Sequence, residues 1–391
     1  MDIITPLHVL RQGLDATPLK RLGVLVQTML TMTGRITMLG LSRWAEKGGS
    51  YRTIQRFYNT VIPWGTILWL FFKAHLYRSA TEYILVGDES VVTKAGKTTH
   101  GLDRFFSSIF GRPIPGLAFL AFSLVSLKER KSYPLLVEQV IRSDEEKARI
   151  QQEKAIKVAR KRTGSKKKKK QGRPKGSANQ NKRQITWTEE LHRVERMAST
   201  LIQRVRPLVL RYLVLDGHYG TNKVLQMVRQ GLSLHLVSKL RHDSALYFLY
   251  EGPQKSRGRK RVYGDKMDYE NIPSTYLMPT DTHEGIQTDI YQATMCHKSF
   301  ADPIHGVLIV KTNHSTQRKA KVILFSSDLD LAYDLLIEYY QLRFQIEFNF
   351  RDAKQFWGFE DFMNVQPTPV ANAVGLSFFM VNFSHLLLTR F

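Results

Sequence analysis

Residues 339–354 read YYQLRFQIEFNFRDAK, a stretch without Pro or Gly whose spacing predicts an α-helix. A helix turns by about 100° per residue, which places Tyr340, Arg343, Glu347 and Lys354 in one stripe about 60° wide. That stripe is about 21 Å long at a rise of about 1.5 Å per residue. Three phenylalanines on the same helix indicate that it packs into a core. The stretch therefore predicts a buried helix with one charged face; the alternative is a solvated face with local ion pairs.

Two apolar runs that each end in an aspartate predict a pair of strands. YILVGD ends at Asp88, and RYLVLD ends at Asp216, after which GHYGTNKVLQMVRQG is typical of a turn and a helix. In open α/β sheets, functional residues collect at the carboxyl ends of strands. Asp88 and Asp216 are therefore candidate site residues. With Glu347 as a third acid on the charged helix face, we expect the three carboxylates to converge within metal-bridging range.

The chain divides into four regions by composition and predicted secondary structure. They are a helical N-terminal DNA-binding domain (1–78), the first part of an α/β catalytic core (79–240), an inserted β-rich subdomain (241–326), and the second part of the core with the Glu-bearing helix (327–391). Within the first part of the core, ESVVTK and GLAFLAFSLVSL predict two further strands. In the last region, the pattern predicts continuous helix from Asp328 to about Trp357.

A helix–turn–helix is predicted in the N-terminal region. A Gly-Gly pair interrupts the helical pattern, and Ser50 is then a candidate N-cap for YRTIQRFYNTV. This second helix carries Arg52 and Arg56 one turn apart, so it could enter a DNA groove. The alternative is an ordinary helical hairpin with a solvated polar face.

Two stretches are rich in cations. Residues 157–183 contain no acid and include SKKKKKQGRPKGSANQNKR, which predicts a mobile, solvent-exposed segment. Arg173 and Lys175 lie in a Gly-Arg-Pro-Lys motif that resembles an AT-hook, which binds a narrow minor groove. An unspecific polycation is the alternative interpretation. A second basic loop, KSRGRKR, contributes Arg259 and Lys260 as candidate DNA contacts.

Composition favours a polyanionic partner. The net charge is +24, from 58 Lys and Arg against 34 Asp and Glu, and such a balance favours DNA over a small anionic metabolite. Cys296 is the single cysteine, which excludes an intrachain disulfide and a Cys-rich zinc site. The N-terminus shows no signal-peptide pattern, and the apolar stretch 370–388 contains polar residues that favour a buried helix over a membrane span. We expect a cytoplasmic, nucleoid-associated protein.

The spacing Tyr-x2-Arg-x3-Glu-x6-Lys, matched by Tyr340, Arg343, Glu347 and Lys354, resembles the signature of bacterial insertion-sequence transposases of the DDE type. Asp88 is similar to the family's first catalytic Asp, and Asp216 to the second. The resemblance covers most of the chain and implies an RNase H-like fold: a mixed sheet flanked by helices, with a β-rich insertion between the second Asp and the Glu.

The resemblance implies a two-metal DNA transposase that cuts transposon ends and joins them to target DNA. Two Mg²⁺ ions, with Mn²⁺ as a substitute, would be held by the three carboxylates, since Mg²⁺ prefers oxygen ligands. Arg343 and Lys354 would grip phosphates, and Tyr340 would orient DNA or support the glutamate. The partners implied are double-stranded DNA, both terminal inverted repeats and target, and a second copy of the chain in the DNA complex.

Two alternatives remain open on sequence grounds: an RNase H-like nuclease that cuts without joining, and an inactive transposase-derived DNA-binding protein.

One departure from the family pattern concerns hairpin formation. Related transposases that form hairpin ends stack a flipped base on a Trp of the insertion, and residues 241–326 contain no Trp. Tyr250 or Tyr263 could substitute for it.

Overall fold

The computed structural model describes residues 3–107, 110–162, 181–206 and 208–390. Its N-terminal part is helical, as the sequence predicts. The elements there are a 3₁₀ helix (Thr5–Gln12), α1 (Ala16–Thr31), α2 (Met38–Trp44), α3 (Tyr51–Tyr58), and α4 (Trp64–Phe71), which continues as a π-helical turn (Phe72–Leu76).

A large sheet follows, and the described residues contribute twelve strands to it. These strands are β1 (Tyr83–Thr93), β2 (Asp103–Ser107), β3 (Arg112–Ser126), β4 (Lys131–Val140), β5 (Tyr212–Val214), β6 (His235–Leu240), β7 (Leu246–Leu249), β8 (Tyr263–Lys266), β9 (Asp281–His283), β10 (Ile286–His297), β11 (Ile304–Asn313) and β12 (Lys319–Ser326). The remaining helices are α5 (Asp144–Arg162), α6 (Glu189–Arg204), α7 (Asn222–Met227), α8 (Tyr333–Leu342), α9 (Gln345–Gln355) and α10 (Pro367–Arg390), with short turns at Gly217–Tyr219, Val228–Leu232 and Ser274–Tyr276.

The strand order makes this a mixed sheet that is mostly antiparallel. Neighbours run β2-β3-β1-β5-β6-β12-β11-β10-β7-β8, with β4 paired to β3 and β9 paired to β10. Only the β1–β5 and β5–β6 pairs are parallel among the described strands. The strands of the β-rich stretch join this sheet through the antiparallel β6–β12 pair. Core and β-rich stretch therefore share one sheet, flanked by helices.

The parallel pair β1–β5 brings the two aspartates to one edge. Leu85 pairs with Leu213 and Val86 with Val214. Asp88 and Asp216 each lie two residues beyond that last pair. Adjacent strands are about 4.8 Å apart, so the two backbones stay close at this point. Because β5 ends here while β1 continues, β1 loses its neighbour on this side, which opens space beside Asp88.

The long C-terminal helix α10 lies inside the protein. It is long and apolar enough to cross a membrane by length and composition, yet 78% of its apolar window is buried. Two of its buried polar side chains have partners in the fold: Trp64 Nε1 donates to Asn372 Oδ1 at 2.9 Å, and Asn382 Nδ2 donates to the Pro134 carbonyl at 2.8 Å. The buried helix predicted for this stretch is confirmed, and through it the N-terminal helices share a core with the sheet.

Two sequence-based expectations are wrong. The stretch from Asp328 to Trp357 is two helices, because α8 ends at Leu342 and α9 begins at Gln345. YILVGD and ESVVT form one strand, β1, because the whole run pairs with β3 without interruption. The acid-free tract of residues 157–183 begins inside helix α5, which ends at Arg162. Residues 163–180 lie outside the described part of the chain.

The helix–turn–helix is present as α2, a turn and α3. Ser50 is the N-cap of α3, as predicted, and its hydroxyl accepts from the Thr53 amide at 3.3 Å. Arg52 and Arg56 are exposed on one face of α3, while Ile54 and Phe57 are buried on the other. The arginines are therefore accessible to a partner in solution.

Candidate active site

Asp88 is more buried than Glu347, whose side chain is 41% exposed. Its side chain is 20% exposed and lies on β1 at the level where β5 ends. The Glu89 amide donates to Asp88 Oδ1 at 2.8 Å, and Arg343 Nη1 donates to Asp88 Oδ2 at 3.1 Å. One oxygen is thus held by the backbone and the other by a cation 255 residues away in sequence.

Asp216 is fixed by its own loop. It caps the turn Gly217–Tyr219, since its Oδ1 accepts from the His218 amide at 3.0 Å. Its carbonyl accepts from the Ser238 hydroxyl at 2.7 Å, which ties the loop to β6. Asp88 and Asp216 line one cavity of about 420 Å³. Asp88 within β1 and Asp216 just beyond β5 therefore face the same space.

The turn between α8 and α9 joins Glu347 to Asp88. Arg343 lies in this turn, and its Nη2 donates to Glu347 Oε1 at 2.9 Å while its Nη1 holds Asp88. The Glu347 amide donates to the Phe344 carbonyl at 3.0 Å, a three-residue spacing that tightens the backbone here. One guanidinium therefore bridges two of the three candidate carboxylates.

Burial and like charge raise the pKa of Asp88 to about 6. Burial is the largest cause; Arg343 and the Glu89 amide oppose it, while Asp216 and Glu347 add to it. For Arg343, burial lowers the pKa, but Asp88, Tyr340 and Glu347 raise it by more, so the net shift is upward. Arg343 therefore remains the countercharge for a carboxylate cluster that resists full ionisation on its own.

The donor set fits a hard divalent cation in its chemistry, because Asp88, Asp216 and Glu347 all supply carboxylate oxygens. Among the described residues, however, no group of three or more His, Cys, Asp or Glu lies in an arrangement that could hold a metal ion. Arg343 occupies the position between Asp88 and Glu347. The guanidinium thus takes one oxygen of each of these two acids, and metal-bridging distances stay a prediction.

The other two residues of the Tyr-Arg-Glu-Lys pattern have partners of their own. Tyr340 lies beside Arg343, whose Cζ is 5.8 Å from the Tyr340 ring centroid. Lys354 Nζ donates to the Val91 carbonyl at 3.2 Å and pairs with Glu360 at 3.1 Å. Arg343 is thus part of the carboxylate cluster, whereas Lys354 joins the far end of β1 to the loop after α9.

Several residues of the cavity were not predicted from the sequence. Glu89 follows Asp88, and His218 follows Asp216 by two positions; His218 Nε2 lies 2.9 Å from Glu190 Oε1 on α6. Further cations line the same cavity: Arg142, Arg149 and Arg193. Proximity to the two aspartates could have indicated Glu89 and His218, but the contribution of α6 depends on tertiary packing alone.

The remaining candidate DNA contacts lie away from this cavity. Arg52 and Arg56 are on α3, and Arg259 and Lys260 line a separate cleft beside β8. None of these four is among the residues that line the cavity with Asp88 and Asp216. Arg173 and Lys175 lie outside the described residues.

The sequence pattern of the DDE superfamily endonucleases matches residues 9–299. The chain belongs to this family. The matched region contains Asp88 and Asp216, the two acids that the parallel strands bring together, and ends before Glu347. A comparison with curated proteins finds no match. As a DDE superfamily endonuclease, the chain has a fold in keeping with a nucleic-acid-cleaving enzyme, and members of this superfamily typically use divalent metal ions.

Proposed function

We propose that this DDE endonuclease is a DNA transposase that cuts transposon ends and transfers them to target DNA. The observation that carries the proposal is the acidic edge where Asp88 and Asp216 meet on parallel strands, with Glu347 joined to Asp88 through Arg343. The strand order β4-β3-β1-β5-β6, with only the last two pairings parallel, supports an RNase H-like core.

In this proposal, Asp88, Asp216 and Glu347 would hold two Mg²⁺ or Mn²⁺ ions. When bound, the ions would supply a nucleophile at neutral pH and a clamp on the charge that develops at the phosphate. The chain's own contribution is positional: the Glu89 amide and the β6 hydroxyl of Ser238 fix the two aspartates. Burial of Asp88 reduces screening by water at the same point.

Arg343 has a second role in the proposal. With cations held by Asp88 and Glu347, its guanidinium would give up both ion pairs and could bind a phosphate of the scissile strand bidentately. Lys354 would contact a neighbouring phosphate, and Tyr340 would support Arg343. Arg52 and Arg56 on α3 would read the terminal repeats in a groove.

The proposed partners are double-stranded DNA, as terminal inverted repeat and as target, and a second copy of the chain on that DNA. A nucleoid-associated position in the cytoplasm follows from this proposal. The charge of +24 supports a polyanionic partner.

The test is an assay with Mg²⁺ on DNA that carries candidate terminal repeats, with a separate target plasmid. We expect cuts at the repeat ends and covalent joining to the target. Cuts without joined products would support a nuclease that only cuts. Binding without cuts, at any divalent metal, would support an inactive DNA-binding protein. Either result would contradict the proposed transposase.

A further inference from the structure

A strongly basic cleft lies between two segments that are far apart in sequence. Residues 181–183 form one side and residues 259–263 form the other, around a volume of about 800 Å³. Among the described residues, its lining includes five cations and no acid: Lys182, Arg183, Arg259, Lys260 and Arg261. Arg183 pairs with Asp302 at 2.7 Å, and the other four cations around one open volume favour an anionic partner.

The first side of the cleft is held in place by side chains. Lys182 Nζ donates to the carbonyls of Lys298 and Phe300, the latter at 3.1 Å. Asn222 Nδ2 donates to the Lys182 carbonyl at 2.8 Å, and Asn222 Oδ1 accepts from the Ala301 amide at 2.9 Å. The segment is therefore clamped between α7 and the β10–β11 loop.

The same clamp connects the cleft to the chain segment that follows Asp216. A second open volume of about 820 Å³ shares Asn181 and Lys182 with the first, and Thr221, Asn222 and Lys223 also line it. These three residues follow Asp216 after only a short turn. The two volumes together reach from residues 221–223 to residues 259–263.

The aromatic rings near the cleft are already occupied. Arg261 lies over Tyr250, with its Cζ 4.3 Å from the ring centroid, and the Tyr250 hydroxyl donates to the Pro253 carbonyl at 3.2 Å. Tyr247 carries Lys298, whose Nζ is 5.1 Å from the ring centroid, and the rings of Tyr247 and Tyr263 are nearly perpendicular with centroids 5.5 Å apart. The rings of Tyr250 and Tyr247 therefore position cations, so the cleft presents positive charge to a partner.

We propose that this cleft binds the phosphate backbone of duplex DNA, without base recognition, next to the segment that is cut at the acidic edge. The inference rests on the proposed function only in taking DNA as the substrate. Phosphate contacts fix the position of DNA but carry no sequence information. The clamp through Asn222 would keep the bound backbone at a fixed distance from Asp216.

The test compares two double variants of one loop. Arg259→Gln/Lys260→Gln removes two cations from the cleft, and Lys255→Gln/Arg257→Gln removes two exposed cations of the same loop that do not line it. Duplex affinity is measured at several salt concentrations without divalent metal, on an A·T-rich and a G·C-rich duplex. We expect the first variant to reduce the salt slope by about 1.8, from about 0.9 for each phosphate that is no longer neutralised, equally on both duplexes. The second should leave the slope unchanged.

Equal changes in the two double variants would overturn the inference, because they would indicate diffuse charge rather than a site. A loss of affinity confined to one duplex would overturn backbone recognition. Since the assay contains no divalent metal, its result does not depend on cleavage. Failure of the proposed transposase in the cleavage assay and failure of this cleft in the binding assay are thus distinguishable.

Discussion

The two halves of the sheet carry opposite charges at their functional surfaces. In the half around the parallel strands β1 and β5, Asp88 and Asp216 share a cavity. In the half that ends with β7 and β8, the described residues that line the cleft beside 259–263 include cations but no acid. The acids are held by backbone amides and one arginine, whereas Lys182 is held by carbonyls, Arg183 by Asp302 and Arg261 by the ring of Tyr250. In the proposed function, cleavage and DNA binding are therefore assigned to different surfaces, and variants should affect one without the other.

The largest expected effect is on the acidic side. Glu347→Gln keeps the shape of the side chain but loses a charge needed to hold metal, so we expect cleavage to fall at least about 100-fold. The duplex affinity of the same preparation should remain equal to that of the wild type. Glu338→Gln is the control, since Glu338 on α8 pairs with Arg130 outside the cluster. Equal losses of cleavage and binding in Glu347→Gln would contradict the assignment of these two activities to different surfaces.

A smaller effect is expected on the N-terminal helices. Arg52→Ala/Arg56→Ala removes the exposed cations of α3, and we expect the preference for terminal repeats over random duplex to fall by about 1–3 kcal/mol for each base that these arginines recognise. The basic-cleft variant, Arg259→Gln/Lys260→Gln, should leave this preference intact. Competition binding with repeat and random duplexes measures both. A uniform loss of affinity on all duplexes in the α3 variant would show that these arginines act only as charges.

The third effect concerns stability. Arg343→Gln removes the bridge between Asp88 and Glu347, and we expect unfolding to become easier by about 1–2 kcal/mol, since the pair is only partly buried. Added Mg²⁺ should restore stability, because binding to the folded state shifts the equilibrium. Thermal melts with and without Mg²⁺ measure this. Arg351→Gln, an exposed residue paired with Asp352 on the same helix, is the control. If added Mg²⁺ does not restore the stability of Arg343→Gln, this would argue against the metal taking the place of the guanidinium between Asp88 and Glu347.

The smallest expected effect is on duplex affinity, and it distinguishes a phosphate contact by Lys354 from a purely structural role. If it contacts phosphate, Lys354→Gln should weaken duplex binding about two- to fivefold, within the range of partly exposed charge contacts. Glu360→Gln, which frees Lys354 from its partner at 3.1 Å, should strengthen binding instead. Weaker binding in both variants would show that the ion pair is structural. The measurement is the duplex affinity of each variant, expressed as a ratio to that of the wild type.

The local features of the site were predictable from sequence. Asp88 and Asp216 each follow an apolar run, a pattern that needs only neighbouring residues, although Asp88 lies within β1 and not at its end. The break between α8 and α9 at Arg343 was not predictable, because nothing in QLRFQIE signals the end of a helix. The break coincides with an ion pair to Asp88 across 255 residues, which is a tertiary effect.

Two strands of the sheet, β4 and β6, were not predictable from the sequence for similar reasons. Strand β4 contains Pro134, which argues against a strand interior; in the fold, this proline lies beside an irregularity in the register with β3. Strand β6 is short, and its place is decided by parallel pairing with β5. The clamp at Lys182 depends on carbonyls more than 100 positions away, so no local pattern could reveal it.

The central claim, that Asp88, Asp216 and Glu347 share one metal site, is tested most directly by Fe²⁺-directed backbone cleavage. In this experiment Fe²⁺ replaces Mg²⁺, and hydroxyl radicals formed at the bound iron cut the chain nearby. We predict cuts near all three residues, with excess Mg²⁺ suppressing them and Asp216→Asn abolishing them together. Cuts near only one of the three, or cuts elsewhere that persist in Asp216→Asn, would contradict the claim.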